Sequence, residues 1–84
     1  MATQKLLKLT ISKVNGPVFD DEVVSVTVPG SEGEMTLLAD HAPIVSVLKT
    51  GLITVRLVDG TKQEFGVVES GTLEVSYNTV TILL

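Results

Sequence analysis

Short stretches in which apolar and polar residues alternate make up most of this sequence. Leu7, Leu9 and Ile11 alternate with polar residues, and the same period of two recurs in residues 52–58 and 61–68. A period of two places every second side chain on one face of a strand, whereas a helix needs apolar residues three and four apart. No segment shows the helical spacing. The alternation therefore predicts an all-β protein whose strands each contribute one apolar face to a core.

Turn-forming residues divide the alternating stretches into pieces about 8–12 residues apart. Asn15-Gly16-Pro17 and Pro29-Gly30 end two predicted strands, and Asp59-Gly60 is a strong signal for a two-residue hairpin turn. Gly66, inside a predicted strand, indicates a bulge or a close backbone approach. About eight short strands result, which predicts an antiparallel β-sandwich or flattened barrel.

The chain has 84 residues and forms one predicted domain, 1–84. A chain this short needs almost all of its alternating apolar residues in a single core. The expected core residues are Leu7, Leu9, Ile11, Val24, Val26, Val28, Ile53, Val55, Leu57, Phe65, Val67, Leu73, Val75, Val80 and Ile82.

Charge and composition exclude several classes of function. The net charge is −4 with six basic residues, which argues against a nucleic-acid surface. Without cysteine, disulfide and thiolate chemistry are excluded. Residues 1–5 lead into an alternating strand rather than a secretory signal, and no apolar run approaches the ~20 residues of a membrane span. Asp20-Asp21-Glu22 is interpreted as a solvated acidic turn.

Catalysis, metal binding and cofactor binding have little support in the residues. Asp40-His41 suggests a hydrolase, but neighbouring side chains on a strand point apart, so Asp40 is not expected to orient His41. One histidine without cysteine does not assemble a usual zinc site, and no phosphate-binding loop motif is present. We expect a non-enzyme without a cofactor.

The central run 28–43 reads VPGSEGEMTLLADHAP and holds two of the three prolines and the only histidine. It closely resembles the signature of the epsilon subunit of bacterial and plastid ATP synthases. Lys49-Thr50-Gly51 falls where that family has a Lys-Pro-Gly turn, here with threonine for proline. Phe65 and residues 71–75 and 78–83 are similar to the last strands of the family. The resemblance covers residues 6–84.

The resemblance implies a sandwich of about ten strands, so eight to ten are expected. It implies a non-catalytic rotor subunit in the central stalk of a proton-translocating ATP synthase, peripheral to the membrane on its cytoplasmic or plastid stromal face. The implied partners are the gamma subunit and the membrane rotor ring, with no nucleic acid and no lipid insertion. The implied ring-contact residues are Gly30, Ser31, Glu32, Gly33 and Glu34. The implied gamma-contact residues are His41, Ala42 and Pro43.

The glycines in the ring-contact segment predict a narrow tip from which Glu32 and Glu34 both project. Family members usually continue into a C-terminal helical hairpin that restrains ATP hydrolysis and, in some members, binds ATP. This chain stops at Leu84. Neither ATP binding nor that restraint is therefore expected of it.

Two alternatives of other classes remain open at this point. The first is an unrelated β-sandwich binding or carrier module, which would present Lys49 at a tight hairpin tip for covalent modification. The second is a small hydrolase that uses His41.

Overall fold

The computed structural model describes residues 5–84, apart from the side chain of Val68. Residues 1–4, which belong to the predicted domain and to the N-terminal segment judged not to be a signal, lie outside this description. The strands are β1 (Leu7–Lys13), β2 (Gly16–Val23), β3 (Ser25–Gly30), β4 (Gly33–Leu37), β5 (His41–Arg56), β6 (Lys62–Tyr77) and β7 (Thr79–Leu83).

These strands form one seven-stranded sheet in the order β2-β1-β7-β6-β5-β3-β4. Neighbouring strands are antiparallel except β1 and β7, which run parallel. The two outermost strands, β2 and β4, do not pair with each other, so the sheet is not a closed barrel. The predicted all-β fold class is confirmed, and of the two predicted architectures the structure has the sandwich.

Two strands of 16 residues, β5 and β6, pass through both layers of the sandwich. Their mutual register shifts where Thr50 of β5 faces residues 68 and 69 of β6. Such a two-against-one bulge bends a strand pair. The first layer holds β2, β1, β7, the first half of β5 and the second half of β6. The second layer holds the remaining halves with β3 and β4.

The strand count is lower than expected because the sequence signals at the bulge suggested chain reversals. Lys49-Thr50-Gly51 and Glu69-Ser70-Gly71 have residue types that are typical of turns, but both segments lie inside long strands. Each long strand therefore replaces two predicted short ones. If the segments of β5 and β6 on either side of the bulge are counted separately, the number of strands lies within the eight to ten expected.

The core lies between the layers and takes aliphatic residues from every strand. Of the expected core residues, all but Val24, Leu57 and Phe65 are buried. Leu57 and Phe65 are half-buried against the core, and Val24 lies in the connection between β2 and β3. The buried aliphatic residues that the sequence did not indicate are Val23, Leu37 and Leu48.

Two local predictions are wrong in detail. Asp20-Asp21-Glu22 is part of β2 rather than a turn, and Lys8 on β1 forms an ion pair with Asp20 at 3.1 Å. Gly66 pairs regularly with Leu52, and nothing lies within 4 Å of the position of a Cβ atom there. The bulge lies further along β6.

The Asp59-Gly60 hairpin is confirmed, but its loop has three residues instead of two. The N–H of Leu57 donates to the Thr61 carbonyl at 2.8 Å, and the N–H of Gly60 donates to the Leu57 carbonyl at 3.0 Å. Gly60 has a φ of 89°, the conformation expected for the last residue of such a loop. Asp59 accepts bonds from the N–H and the hydroxyl of Thr61, which lower the pKa of its carboxyl.

Candidate interaction surface

The connection between β3 and β4 is a tight hairpin that carries the residues predicted to contact a ring. Gly30 pairs with Gly33, so Ser31 and Glu32 form the tip. Gly33 has a φ of 139°, which favours glycine. We call residues 30–34 the acidic hairpin.

The acidic hairpin is fixed to the middle of β5 by backbone contacts. The N–H of Ser31 donates to the carbonyl of Val47 at 2.9 Å, and Gly30 pairs with Leu48. Gly30 itself is buried. The tip therefore has a defined position relative to the body of the sandwich.

The two carboxylates of the acidic hairpin lie in different places. Glu32 is at the tip, whereas Glu34 is on β4 opposite Pro29 and faces outward from the second layer. The expectation that both project from the tip is thus wrong, because β4 begins at Gly33 and Glu34 is already part of the strand. Both glutamates are exposed, and neither has an ion pair within residues 5–84. Their carboxylates are available to a partner with positive or hydrogen-bond-donating groups.

The segment predicted to contact gamma begins β5 at the other end of the first layer. His41 pairs with Tyr77, and Ala42 and Pro43 are exposed. Nδ1 of His41 lies 2.7 Å from the carbonyl oxygen of Ala42, so this nitrogen donates a local hydrogen bond.

Asp40 precedes this segment and is engaged away from the histidine. Its backbone adopts φ 64°, and its N–H donates to Oδ1 of Asn78 at 2.7 Å. The hydrogen bond from the Lys5 ammonium, at 2.5 Å, lowers the pKa of the Asp40 carboxyl and raises the pKa of Lys5. Asp40 is therefore paired with Lys5, which agrees with the expectation that it does not orient His41.

The structure does not bring the acidic hairpin and the His41 segment together. The hairpin is bonded at Val47, and six residues of one strand, roughly 20 Å, separate Val47 from His41. Two separated contact points on one strand suit two different partners.

Apolar side chains that the sequence reasoning did not single out lie on the outer face between these points. Val45 is 80% exposed and Val47 is 55% exposed. Leu83 is exposed on the same face, because Thr72 pairs with both Val47 and Leu83. The signal was present in the sequence: residues 44–48 are almost uninterruptedly apolar, which is typical of a strand covered on both faces.

The described residues give little support to the alternative functions. Lys49 lies inside β5 opposite Ser70 and is not presented at a hairpin tip as a carrier lysine would be. Within residues 5–84 no three potential ligands from His, Cys, Asp or Glu come together to hold a metal. That same part of the chain contains no helix of the length and apolarity that a membrane crossing requires.

Comparison with known proteins identifies the family. The profile of the family described as ATP synthase, Delta/Epsilon chain, beta-sandwich domain matches residues 6–84. The chain belongs to this family. The suspected resemblance and the sandwich fold that it implied are thereby confirmed.

Relatives within the Delta/Epsilon family have similar sequences over nearly the whole chain. An ATP synthase epsilon chain from a Sulfurovum species is 41% identical over 95% of this chain and 62% of its own length. One from a Nitratiruptor species is 44% identical over 93% of this chain and 60% of its own length. The chain thus spans less than two thirds of these relatives.

Solved structures show the same family fold. A chain in the cryo-EM structure of the Euglena gracilis mitochondrial ATP synthase OSCP/F1/c-ring matches with a TM-score of 0.86 and 26% identity. The match covers 93% of this chain and 49% of that one. A chain in the Tetrahymena thermophila central stalk and c-ring structure matches with a TM-score of 0.77 at 16% identity, over 98% of this chain and 65% of that one. At that identity, the likeness shows the fold alone.

Proposed function

We propose that this chain is a non-catalytic rotor subunit in the central stalk of a proton-translocating rotary ATP synthase. There it links the gamma subunit to the membrane rotor ring and helps couple proton flow to ATP synthesis. The family match over residues 6–84 carries this proposal. The chain acts as a single domain on the cytoplasmic or plastid stromal side of the membrane.

The acidic hairpin is the proposed contact with the rotor ring. Its backbone is bonded to β5, so the tip keeps its position, while Glu32 and Glu34 have no ion-pair partner in the described chain. Exposed ion pairs are individually weak, so several hydrogen bonds and charge contacts to polar or basic ring loops are needed together. Such contacts set orientation and are sensitive to salt.

The proposed contact with gamma starts at His41, Ala42 and Pro43 and continues over the outer face of the first layer. Exposed Val45 and Val47 supply apolar area there. Apolar residues in the centre of an interface with polar residues at its edge are typical of stable protein contacts.

The geometry also favours a non-catalytic role. His41 uses Nδ1 in a bond to the neighbouring Ala42 carbonyl, and the nearest acid in the sequence, Asp40, is held by Lys5. A hydrolytic triad requires the acid to orient the histidine and the histidine to contact a nucleophile.

A double variant tests the ring contact. Glu32→Gln with Glu34→Gln should change the free energy of unfolding by no more than about 0.5 kcal/mol, since both are surface residues. In a synthase assembled with this chain, the same change should weaken retention of the ring and proton-coupled ATP synthesis, more strongly at low salt. Binding to purified gamma should be unaffected.

Two controls distinguish the contacts. Glu64→Gln with Glu69→Gln makes the same charge change on exposed residues outside the acidic hairpin and should leave ring retention unchanged. Val45→Lys should weaken binding to gamma. Parent-like coupling of the Glu32/Glu34 variant at both low and high salt would mean that the acidic hairpin is only a turn.

A further inference from the structure

The outer face of the second layer carries a shallow depression of about 270 Å³ that the proposed stalk contacts do not use. Hydroxyl and cationic side chains from β3, β4, β5 and β6 line it. We call this group the hydroxyl–cation face: Ser25, Thr27, Thr36, Thr54, Arg56 and Lys62.

Two positive charges face each other at one end of this surface. Arg56 and Lys62 are direct cross-strand partners, and Ser25 pairs with Arg56 from the other side. Like charges directly opposite each other destabilise a sheet. Within residues 5–84 neither cation has an ion pair, although the chain has ten acidic residues against six basic ones.

Of the carboxylates on the same face, Glu64 lies next to the cationic end, two residues along β6 from Lys62, and Glu34 lies further away. Glu64 pairs with Thr54, and Glu34 lies beyond Thr36 at the acidic hairpin. Neither forms an ion pair with Arg56 or Lys62 in the described structure. Because no carboxylate of the described residues is within ion-pair distance of Arg56 or Lys62, both positive charges are available to a bound anion.

Hydroxyl groups continue the surface beside the two cations. Thr36, Thr27 and Thr54 form one cross-strand row, in which the Thr27 and Thr36 hydroxyl oxygens lie 3.0 Å apart. The hydroxyls of Ser25 and Thr54 have no hydrogen-bond partner among the described residues and flank Arg56 on neighbouring positions. They can donate to a bound acceptor.

We propose that the hydroxyl–cation face binds a phosphate group, as inorganic phosphate or as a phosphate monoester. A phosphate dianion offers acceptor oxygens in several directions, so it can accept from the Arg56 guanidinium, the Lys62 ammonium and adjacent hydroxyls at once. A carboxylate has two oxygens and would leave donors unused. The bound anion also removes the repulsion between the two cations.

Titration of the isotope-labelled chain with inorganic phosphate tests the proposal, with ionic strength held constant by chloride. Saturable NMR shift changes are expected at the amides of Ser25, Thr54 and Arg56. Arg56→Gln and Lys62→Gln should each weaken binding roughly tenfold or more, because each removes a charge-assisted hydrogen bond. Lys49→Gln, the same charge change on an exposed lysine elsewhere in β5, should leave binding unchanged.

A thermal measurement provides an independent readout. Without phosphate at low salt, Lys62→Gln should raise the Tm, since it relieves the cross-strand repulsion. Phosphate should raise the Tm of the parent chain by more than that of this variant, because a ligand of the folded state stabilises it in proportion to how tightly it binds.

Two further ligands distinguish the source of the phosphate group. Binding of glycerol 3-phosphate in solution would support a small soluble monoester. Binding only to vesicles that contain phosphatidic acid would support a lipid headgroup monoester at the same site. The control vesicles contain phosphatidylglycerol at the same surface charge and should not be bound in that case. Absence of saturable binding to all of these, or equal weakening by Lys49→Gln, would overturn the proposal.

Discussion

Gly30 occupies a position where the backbone leaves no room for a side chain. A Cβ atom there would lie 2.6 Å from the carbonyl oxygen of Gly33 and 3.0 Å from Cε of Met35. The methionine can move, but the carbonyl belongs to the hairpin backbone. The shape of the acidic hairpin thus depends on the absence of one methyl group.

Replacement of this glycine by alanine should be destabilising, with Gly66→Ala as the matched control. Gly30→Ala forces the tip apart and should also reduce ring retention. Gly66→Ala meets no atom within 4 Å and should be neutral or stabilising by about 0.4–1 kcal/mol, since it restricts the unfolded chain. Urea unfolding of both variants measures the difference. Equal stability of the two variants would contradict the steric account.

At the residue scale, the ion pair between Lys5 and Asp40 makes a pH-dependent contribution to the stability of the fold. The pKa of Asp40 is lowered below 3.8 by the Lys5 hydrogen bond, so its contribution is fully present above that value and is lost as pH falls through the lowered pKa. The pKa of Lys5 is raised above 10.5, so its contribution is present below that value and is lost as pH rises through the raised pKa.

Asp40→Asn should therefore lower stability at neutral pH, and the difference from the parent should shrink in acid. Asparagine tolerates the positive φ of this position, so the backbone is expected to be preserved. Unfolding by urea at neutral pH and at the lowest pH where the parent stays folded checks this. Glu69→Gln, whose carboxylate has no ion pair in residues 5–84, should show no such pH dependence. A difference that stays constant in acid would refute the assignment.

At the scale of elements, the sequence predicted the inner faces of strands better than their ends. Leu7, Leu9 and Ile11 are all buried because the alternation fixes which face is apolar, whatever the partner strand is. β2 was missed because its exposed side is acidic and it begins with Gly16-Pro17, residues that are typical of turns. A local signal does not show that β1 lies alongside to pair with it.

The candidate site was predictable to the same degree. The segment 30–34 was expected as a hairpin tip, and the structure has that hairpin. The outward direction of Glu34 and the bond from Ser31 to Val47 depend on pairing between distant strands, which the local pattern does not contain. The cation pair of Arg56 and Lys62 was missed for the same reason, since it arises from the register across the Asp59-Gly60 hairpin.

At the scale of the whole molecule, the two layers share their central strands and should open together. The backbone amides in the core of β5 and β6 are expected to exchange hydrogen with the same free energy of opening. Ile53 in the second layer and Leu73 in the first layer are examples. The edge strands β2 and β4 should exchange at lower free energies. Hydrogen exchange at several denaturant concentrations measures this, and clearly different values for the cores of the two layers would contradict it.

The course of β5 also limits how this protein can change in length. The part of β5 between Ile44 and Leu48 sets the distance between the His41 segment and the point where the acidic hairpin is bonded to the strand. One inserted residue would turn Val45 and Val47 inward and move the apolar core residues to the surface, whereas two would preserve every face. Related proteins in which the two contact points lie further apart are therefore expected to carry insertions of an even number of residues in this strand.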